Sequence, residues 1–243
     1  MQHEESKEKV AELKRIIEVS SNIVFFGGAG VSTESGIPDF RSVDGLYNQK
    51  YKYAPEVIVS HSFYDSHTEE FFDFYKNKMI VLEAQPNTAH KRLAELEKEG
   101  KLKAVITQNI DGLHYAAGSK EVMELHGSVH RNYCERCGKF YPVEYIVESD
   151  GVPKCECGGR VKPDVVLYEE GLNYDTMQKT IQYIREADVL IIGGTSLAVY
   201  PAAGFTVYFK GSHLVVINMD ETSKEVNADL VIHEKIGEVF AQV

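Results

Sequence analysis

The sequence lacks a hydrophobic run of the length that a membrane-spanning helix requires, about 18 residues or more. Its first residues, Met1 to Lys7, are polar and lack the apolar segment of a signal peptide. These two absences predict an intracellular protein, which we expect in the cytoplasm and not at a membrane. Internal repeats and low-complexity tracts are also absent, and 243 residues suit one large domain or one domain with a small insert.

Basic residues are in deficit, with 26 Lys and Arg against 37 Asp and Glu, so the formal net charge is −11. Such an acidic chain lacks the positively charged footprint that direct binding to nucleic acid requires. Its field favours basic partners, such as lysine-rich protein tails. Hydrophobic residues make up 43% of the chain, which is ample for a core. We expect a monomer.

Cysteine is scarce, and its four residues stand in two close pairs. Two residues separate Cys134 from Cys137, and one separates Cys155 from Cys157. In a chain without secretion signals, such pairs indicate a metal site before disulfides. Two chelating pairs with 17 residues between them suit one Zn²⁺ bound by four thiolates. Because no ligand position stays open, residues 129–163 are predicted to form a structural zinc-binding module.

Short apolar runs alternate with helical patterns along the chain. Helices are expected at 5–19, 86–100 and 174–186, and strands at 23–26, 103–107, 121–125, 164–168, 188–193 and 214–218. The alternation predicts an α/β fold, a Rossmann-like parallel sheet with helices on both faces, assembled from residues 1–43, 86–128 and 164–243. The aromatic-rich residues 44–85 are interpreted as a helical insert or cofactor loop, in which Ser66 and Glu69 form a capping box.

A glycine-rich turn follows the first predicted strand. The three glycines of residues 27–30 would let backbone N–H groups approach an anion, and Val31 would open a helix. Alone, this pattern is as typical of a tight structural turn as of a phosphate site. The segment Gly36–Arg41 adds a proline, an acid, an aromatic ring and a guanidinium close by. That combination indicates a nucleotide site.

Four sequence blocks together resemble the sirtuins, the NAD-dependent protein deacylases. They are Gly28–Ser32 with Gly36–Arg41, then Thr107–His114, then Leu125–Gly127, then the two cysteine pairs, in the family's order. The resemblance runs from about residue 16 to the C-terminus. It implies that NAD is a co-substrate and that the partner is a protein carrying acetylated lysine. The acetyl group would pass to ADP-ribose, and nicotinamide would be released.

His126 is the candidate general base, because imidazole titrates near neutral pH and can take a proton from a ribose hydroxyl. A lone histidine at a strand end is more often structural, but the match of Leu125–Gly127 to the family's catalytic block favours catalysis. The resemblance also implies catalytic roles for Asn109, which would place the nicotinamide ribose and an ordered water, and for Asp111. With Ile110, Asp111 would hold the nicotinamide carboxamide. A helix-capping role for Asp111 stays open.

Further contacts follow only from the resemblance. The remaining NAD contacts would come from Gly28, Ala29, Gly30, Thr33, Phe40, Arg41, Gln108, Thr195, Ser196, Asn218 and Ile236. The substrate peptide would add as a strand beside Val165, Val166, Tyr168, Ala198 and Val199.

The sequence departs from the family pattern at two places. The pair Cys155 and Cys157 has one intervening residue, where the family more often has two or more. Glu169 stands where the family commonly has glycine, and we expect it to alter the tunnel entrance and to favour basic residues beside the target lysine. Residues 44–85 contain no arginine, which an anionic succinyl group would need, so acetyl is expected to be preferred over succinyl.

Three other functions stay open on the sequence. Mono-ADP-ribosyl transfer would use the same NAD site with a different nucleophile, and its product would distinguish it. A non-catalytic NAD sensor or acyl-lysine binding module is disfavoured because His126, Asn109 and Asp111 are all present. A Rossmann dehydrogenase is disfavoured because Thr33 replaces the third glycine of the dinucleotide fingerprint and no acid ends an early second strand.

Overall fold

The structure is a computed structural model that describes residues 2–39, 45, 52–222 and 225–243. Its strands, in chain order, are β1 (Ile23–Gly27), β2 (Leu102–Thr107), β3 (Val122–Glu124), β4 (Gly127–Cys134), β5 (Phe140–Tyr141), β6 (Val161–Val165), β7 (Val189–Gly193), β8 (His213–Ile217) and β9 (Leu230–Ile232). Six of them form a sheet in the order β3-β2-β1-β7-β8-β9, and the other three form a second sheet in the order β5-β4-β6. All neighbours in the six-stranded sheet pair in parallel.

The centre of the large sheet is apolar and buried. Every residue of β1 and β7 is buried, as expected of parallel strands covered on both faces. β1 pairs with β2 on one side and with β7 on the other, although the two neighbours lie more than 80 residues apart in the sequence. The direction of winding therefore changes at β1. In open α/β sheets a crevice for ligands forms at such a point, outside the carboxyl ends of the strands.

Helices cover both faces of this sheet. The helices in chain order are α1 (Gln2–Val19), α2 (Pro55–Ile58), α3 (His61–Ser66), α4 (Thr68–Phe74), α5 (Thr88–Lys98), α6 (Leu113–Ala116), α7 (Val143–Glu148), α8 (Tyr174–Glu186) and α9 (Ile236–Phe240). α1, α5 and α9 pack on the face that carries Ile23 and Phe25 of β1. α8 and the 3-10 helix Ala202–Tyr208 pack on the opposite face, with Val24 and Phe26. The α/β fold class is thus confirmed. No helix within the described ranges combines the length and the apolar character needed to cross a bilayer.

The second sheet and the helical insert share one core. The aromatic side chains of α3 and α4, among them Tyr64, Phe71 and Phe72, are almost fully buried. They pack in one cluster with Val129 of β4 and Val161 of β6. The bounds of the predicted zinc module and insert stay a prediction, but their apolar side chains form a single hydrophobic unit.

Several predicted elements are confirmed closely. The helix predicted at 174–186 begins and ends where α8 does, and the Asn173 side chain accepts a hydrogen bond from the Thr176 N–H at its start. α5 carries a capping box between Asn87 and His90, and Gly100 follows it with φ 78°. α8 was visible in the sequence from the spacing of its apolar residues, and α5 from an early proline and the glycine that follows it.

The predictions that are wrong involve short segments. Instead of a helix opening at Val31, the chain forms two 3-10 turns, Ala29–Val31 and Thr33–Ser35. Gly36, with φ 84°, then turns the chain away, and a proline follows at position 38. A capping box at Ser66 is also wrong, because the Ser66 hydroxyl donates to the Ser62 carbonyl (2.7 Å) and His67 precedes α4.

The strand predicted at 164–168 differs in both position and partner. β6 covers Val161–Val165 and pairs antiparallel with β4 in the second sheet, so it is not a strand of the parallel sheet. Beyond it, Tyr168 forms an isolated bridge to Ser60 outside the two sheets. β9 and α9 were not predicted, since each is too short to show a period.

Two histidines meet inside the core beside the glycine turn. The rings of His90 and His114 lie 4.7 Å apart between centroids. His90 Nδ1 accepts from the Asn87 N–H (3.3 Å), whereas His90 Nε2 and both nitrogens of His114 have no partner among the described residues. Burial lowers the pKa of His90 to about 4 and that of His114 well below its ordinary value. Both rings are therefore neutral in the folded protein.

This pair predicts a loss of stability on mild acidification. In the unfolded chain both imidazoles return to an ordinary pKa of about 6.5 and bind protons that the folded state excludes. The free energy of unfolding is therefore highest above that pKa and falls between about pH 6.5 and 4, by up to about 1.4 kcal/mol per pH unit for each histidine. Urea unfolding at pH 7.5, 6 and 5 measures this slope.

His114→Leu supplies the comparison, because it removes one of the two titrating rings without adding charge. We expect a shallower decline in this variant between pH 6.5 and 5. An identical decline in the two proteins would show that His114 does not carry the effect.

Candidate active site

A cavity of about 420 Å³ lies at the carboxyl ends of β1, β2, β7 and β8. The glycine turn after β1, the segment after β2, His126 before β4, and the segments after β6, β7 and β8 all contribute to its wall. The cavity thus forms at the change of winding direction, where the sheet topology places a crevice.

The glycine turn lies directly against the end of β7. The Gly30 N–H donates to the Gly194 carbonyl (2.8 Å), and a Cβ on Gly30 would lie 2.8 Å from the Gly194 Cα. No side chain fits in this contact, so the backbone of the turn itself lines the cavity, together with Ala29 and Thr33. Gly28 is buried behind them. The N–H groups of residues 30–32 already donate to backbone carbonyls, so what the turn offers a ligand is a close approach to its backbone and not a row of free donors.

Three polar side chains connect the glycine turn to the segment after β2. The Ser32 hydroxyl donates to the Asp111 carboxylate (2.6 Å) and accepts from the Asn109 amide (3.0 Å). The other Asp111 oxygen accepts from the Leu113 N–H at the start of α6 (2.9 Å). Asp111 therefore supports a helix start and also lines the cavity with Asn109 and Ile110. Sequence reasoning missed Ser32, although it lies inside the first sequence block.

His126 lies between β3 and β4, with its ring at the cavity wall. Its Nδ1 is 2.9 Å from the Gln108 carbonyl oxygen. A carbonyl can only accept, so Nδ1 carries the hydrogen and Nε2 keeps its lone pair. Burial lowers the pKa of His126, although the bond to Gln108 opposes the shift. The neutral ring is therefore ready to accept a proton at Nε2.

The segment after β7 continues the wall. Thr195 is buried, and its hydroxyl accepts from the Gln108 amide (3.2 Å) and from the Leu197 N–H (3.1 Å). Ser196 is exposed and lines the cavity. Asn218 and Ile236 line its far end. Phe40 and Arg41, which were predicted to contact NAD, lie outside the described residues.

The residues predicted to bind the peptide lie on one side of the cavity. Val165, Val166, Tyr168 and Val199 line it, whereas Ala198 is exposed and lies outside the lining. The Val166 N–H donates to the His126 carbonyl (3.0 Å), which ties this segment to the histidine backbone.

The four cysteine sulfurs converge away from this cavity. The ligand atoms all lie within 4.8 Å of one another, and the pairs Cys134–Cys157 and Cys137–Cys155 are 3.5 Å apart. Tetrahedral Zn²⁺ with bonds of about 2.3 Å places its sulfurs roughly 3.8 Å apart. The four thiols therefore fit a zinc ion, and the single residue between Cys155 and Cys157 does not prevent convergence. None of them lines the cavity.

Comparison with known proteins gives consistent results. The model of the Sir2 family matches residues 28–201. The NAD-dependent protein deacetylase of Clostridium acetobutylicum is 59% identical over 240 residues, covering 97% of this chain and 98% of the relative. That of Clostridium perfringens is 60% identical over 240 residues, with the same two coverages.

Solved structures agree with these relatives. A Sir2 complex with a p53 peptide and NAD+ superimposes with a TM-score of 0.86 at 40% identity, covering 96% of this chain and 95% of that chain. Sir2Tm bound to a propionylated peptide gives a TM-score of 0.87 at 39% identity, with 97% of each chain covered. With the sequence blocks, the sheet order and the cysteine cluster in agreement, the chain belongs to the Sir2 family.

Proposed function

We propose that His126 is the general base of an NAD-dependent protein deacetylase that transfers the acetyl group of acetyl-lysine to ADP-ribose. The chain is an enzyme of the sirtuin type, as its relatives at 59 and 60% identity over nearly the whole chain are NAD-dependent protein deacetylases. NAD is its co-substrate, and the cysteine cluster provides a zinc site. The observation that carries the role of His126 is its available Nε2 in the same cavity as Asn109, Asp111 and the glycine turn.

Each part of NAD would meet a separate region of the cavity. The backbone around Gly30 would approach the phosphates closely, and Thr195 and Ser196 would contact phosphate or ribose. Asp111 and Ile110 would hold the nicotinamide carboxamide, with Asn109 beside the ribose. Asn218 and Ile236 would contact the adenosine end. Phe40 and Arg41 stay predicted contacts.

The reaction then needs one proton acceptor. The acetyl oxygen of the modified lysine displaces nicotinamide at ribose C1′, and a ribose hydroxyl next attacks the acetyl carbon. His126 Nε2 takes the proton of that hydroxyl, while the bond from Nδ1 to the Gln108 carbonyl fixes the ring. A water molecule then adds to the same carbon, the C–N bond breaks to release lysine, and the acetyl group stays on a ribose oxygen of ADP-ribose. Burial of the reacting ribose in the cavity would keep water away from C1′ until the acetyl oxygen has bonded there.

The protein partner is an acetylated lysine side chain presented in an extended peptide. It would lie between the segments around Val166 and Val199, which flank the cavity beside His126. The Sir2 relatives of known structure bind p53 and propionylated peptides, which supports this class of substrate. The monomeric state and the preference for acetyl over succinyl stay predictions.

His126→Ala tests the assignment of the base. We expect kcat for deacetylation of an acetylated peptide to fall by roughly 100-fold or more, because general bases typically contribute that much. Mass spectrometry of the products would show acetylated ADP-ribose, nicotinamide and free lysine with the unaltered protein.

His213→Ala is the matched control, since His213 lies at the amino end of β8, away from the cavity. It should keep normal turnover. Normal turnover in His126→Ala would rule out His126 as the base, and ADP-ribosylated protein as the main product would favour the transferase alternative.

The lowered pKa of His126 predicts the position of the acid limb in the pH–rate profile. The base must be neutral, so kcat/KM should fall only as the pH drops through the lowered pKa, with a midpoint below the ordinary 6.5. Activity should change little between pH 8 and 7. A midpoint above 6.5, measured on enzyme that regains full activity at pH 7.5, would contradict this assignment.

The cysteine cluster predicts one zinc ion per chain, measurable by atomic absorption. Cys155→Ser should reduce the bound zinc and lower the thermal unfolding midpoint by about 5–15 °C, since ligation contributes folding free energy. Treating the wild type with a chelator should have a similar effect, reversed by added Zn²⁺. A zinc-free wild type with the same melting temperature would refute the structural role.

A further inference from the structure

One residue beside the peptide side of the cavity has an unusual backbone conformation. Glu169 has φ 76°, and with Leu197 it is one of two non-glycine residues in the left-handed region among the described residues. A side chain in this region costs free energy that glycine avoids. Some interaction of the Glu169 side chain should therefore offset the cost.

The Glu169 carboxylate is held by a single serine of the helical insert. One oxygen accepts from the Ser62 N–H (2.9 Å), and the other accepts from the Ser62 hydroxyl (2.9 Å). Ser62 lies in α3, 107 residues earlier in the chain. Hydrogen bonds to an ionised acceptor are stronger than neutral ones, so this two-point contact can hold a strained backbone.

The neighbouring backbone is attached to the same region. The Tyr168 N–H donates to the Val59 carbonyl (3.0 Å), and the Tyr168 carbonyl accepts from the His61 N–H (3.0 Å). The Glu170 carboxylate accepts from the Leu167 N–H (2.9 Å). Residues 165–170, which we name the substrate loop, are therefore fixed against α3 on one side. All six of them line the cavity on the other side.

We propose that Ser62 and Glu169 form a clamp that positions the substrate loop for the acyl-lysine peptide. This inference rests on the proposed function, because it assumes that residues 165–170 meet the peptide. Glu169 is a positioning residue that acts through the loop backbone. Its carboxylate is assigned to Ser62, and a basic residue of the substrate is not its partner.

Three substitutions of Glu169 distinguish the effect of its hydrogen bonds to Ser62 from the effects of its negative charge and its backbone strain. Glu169→Gln keeps the length, and its amide can accept from the Ser62 N–H and donate to the Ser62 hydroxyl without a charge. Glu169→Ala removes both bonds and keeps the backbone strain. Glu169→Gly removes the bonds and the strain together.

We expect the peptide KM to stay within about twofold of wild type in Glu169→Gln and to rise roughly three- to tenfold in Glu169→Ala. Glu169→Gly should lie between them. The kcat and the KM for NAD should change little in all three, because the clamp touches neither the base nor the glycine turn. Glu83→Ala, which removes another exposed carboxylate of the chain, is the control and should match wild type.

Two kinetic outcomes would overturn the clamp. One is an unchanged peptide KM in Glu169→Ala. The other is a Gln variant as weak as the Ala variant, with losses confined to peptides that carry lysine or arginine beside the acetyl-lysine. That pattern would mean that the charge of Glu169 contacts the substrate.

Amide hydrogen exchange of the protein alone gives a readout independent of turnover. Residues 165–170 should exchange faster in Glu169→Ala than in wild type, and Glu169→Gln should protect them as wild type does. Equal exchange in all variants would overturn the clamp even if deacetylation is normal. A wild type that does not deacetylate the peptide would overturn the proposed function itself, and the positioning role with it.

Discussion

The backbone contact between Gly30 and Gly194 brings the turns after β1 and β7 together at the base of the cavity. A hydrogen bond of 2.8 Å joins them, and the space that a Cβ would need is filled by the Gly194 backbone. Because the two turns follow adjacent parallel strands, this contact aligns the glycine turn with Thr195 and Ser196. At this contact, the surface that would receive a dinucleotide is therefore made by closely packed main-chain atoms. A residue larger than glycine does not fit at either position without moving the backbone.

Ser32 connects the glycine turn to the polar side chains that follow β2. Its hydroxyl bonds both Asp111 and Asn109, so a residue of the glycine turn fixes two side chains that follow β2. The His126 ring is held against the same segment after β2, because its Nδ1 donates a hydrogen bond to the carbonyl oxygen of Gln108, the residue before Asn109. Three segments far apart in the sequence are thus joined by short polar contacts. The position of the His126 ring therefore depends on the same short segment after β2 as the positions of the Asn109 amide and the Asp111 carboxylate.

Features of the fold and the site could be predicted from the sequence where they depend on residues close together in the chain. The buried strands and α8 were readable because apolar runs and helical periodicity are local signals. The cysteine pairs were readable because the spacing reflects the geometry of a metal. The 3-10 turns after Gly28, the pairing of β6 with β4, and the contact of Ser62 with Glu169 depend on partners far along the chain. Motifs indicated which residues matter, but the bonds of Ser32 and the tautomer of His126 needed coordinates.

The common core of the insert and the cysteine-bearing sheet connects the sulfurs to residues 165–170, which line the cavity. Arg160, one residue before β6, bonds Glu135 and Asp65, each at 2.8 Å, and Asp65 lies on the same helix as Ser62. Cys134 and Cys155 pack in the same hydrophobic cluster as Phe63. Oxidation of the sulfurs would therefore be expected to displace α3 and, with it, residues 165–170 of the cavity wall, although no cysteine lines the cavity.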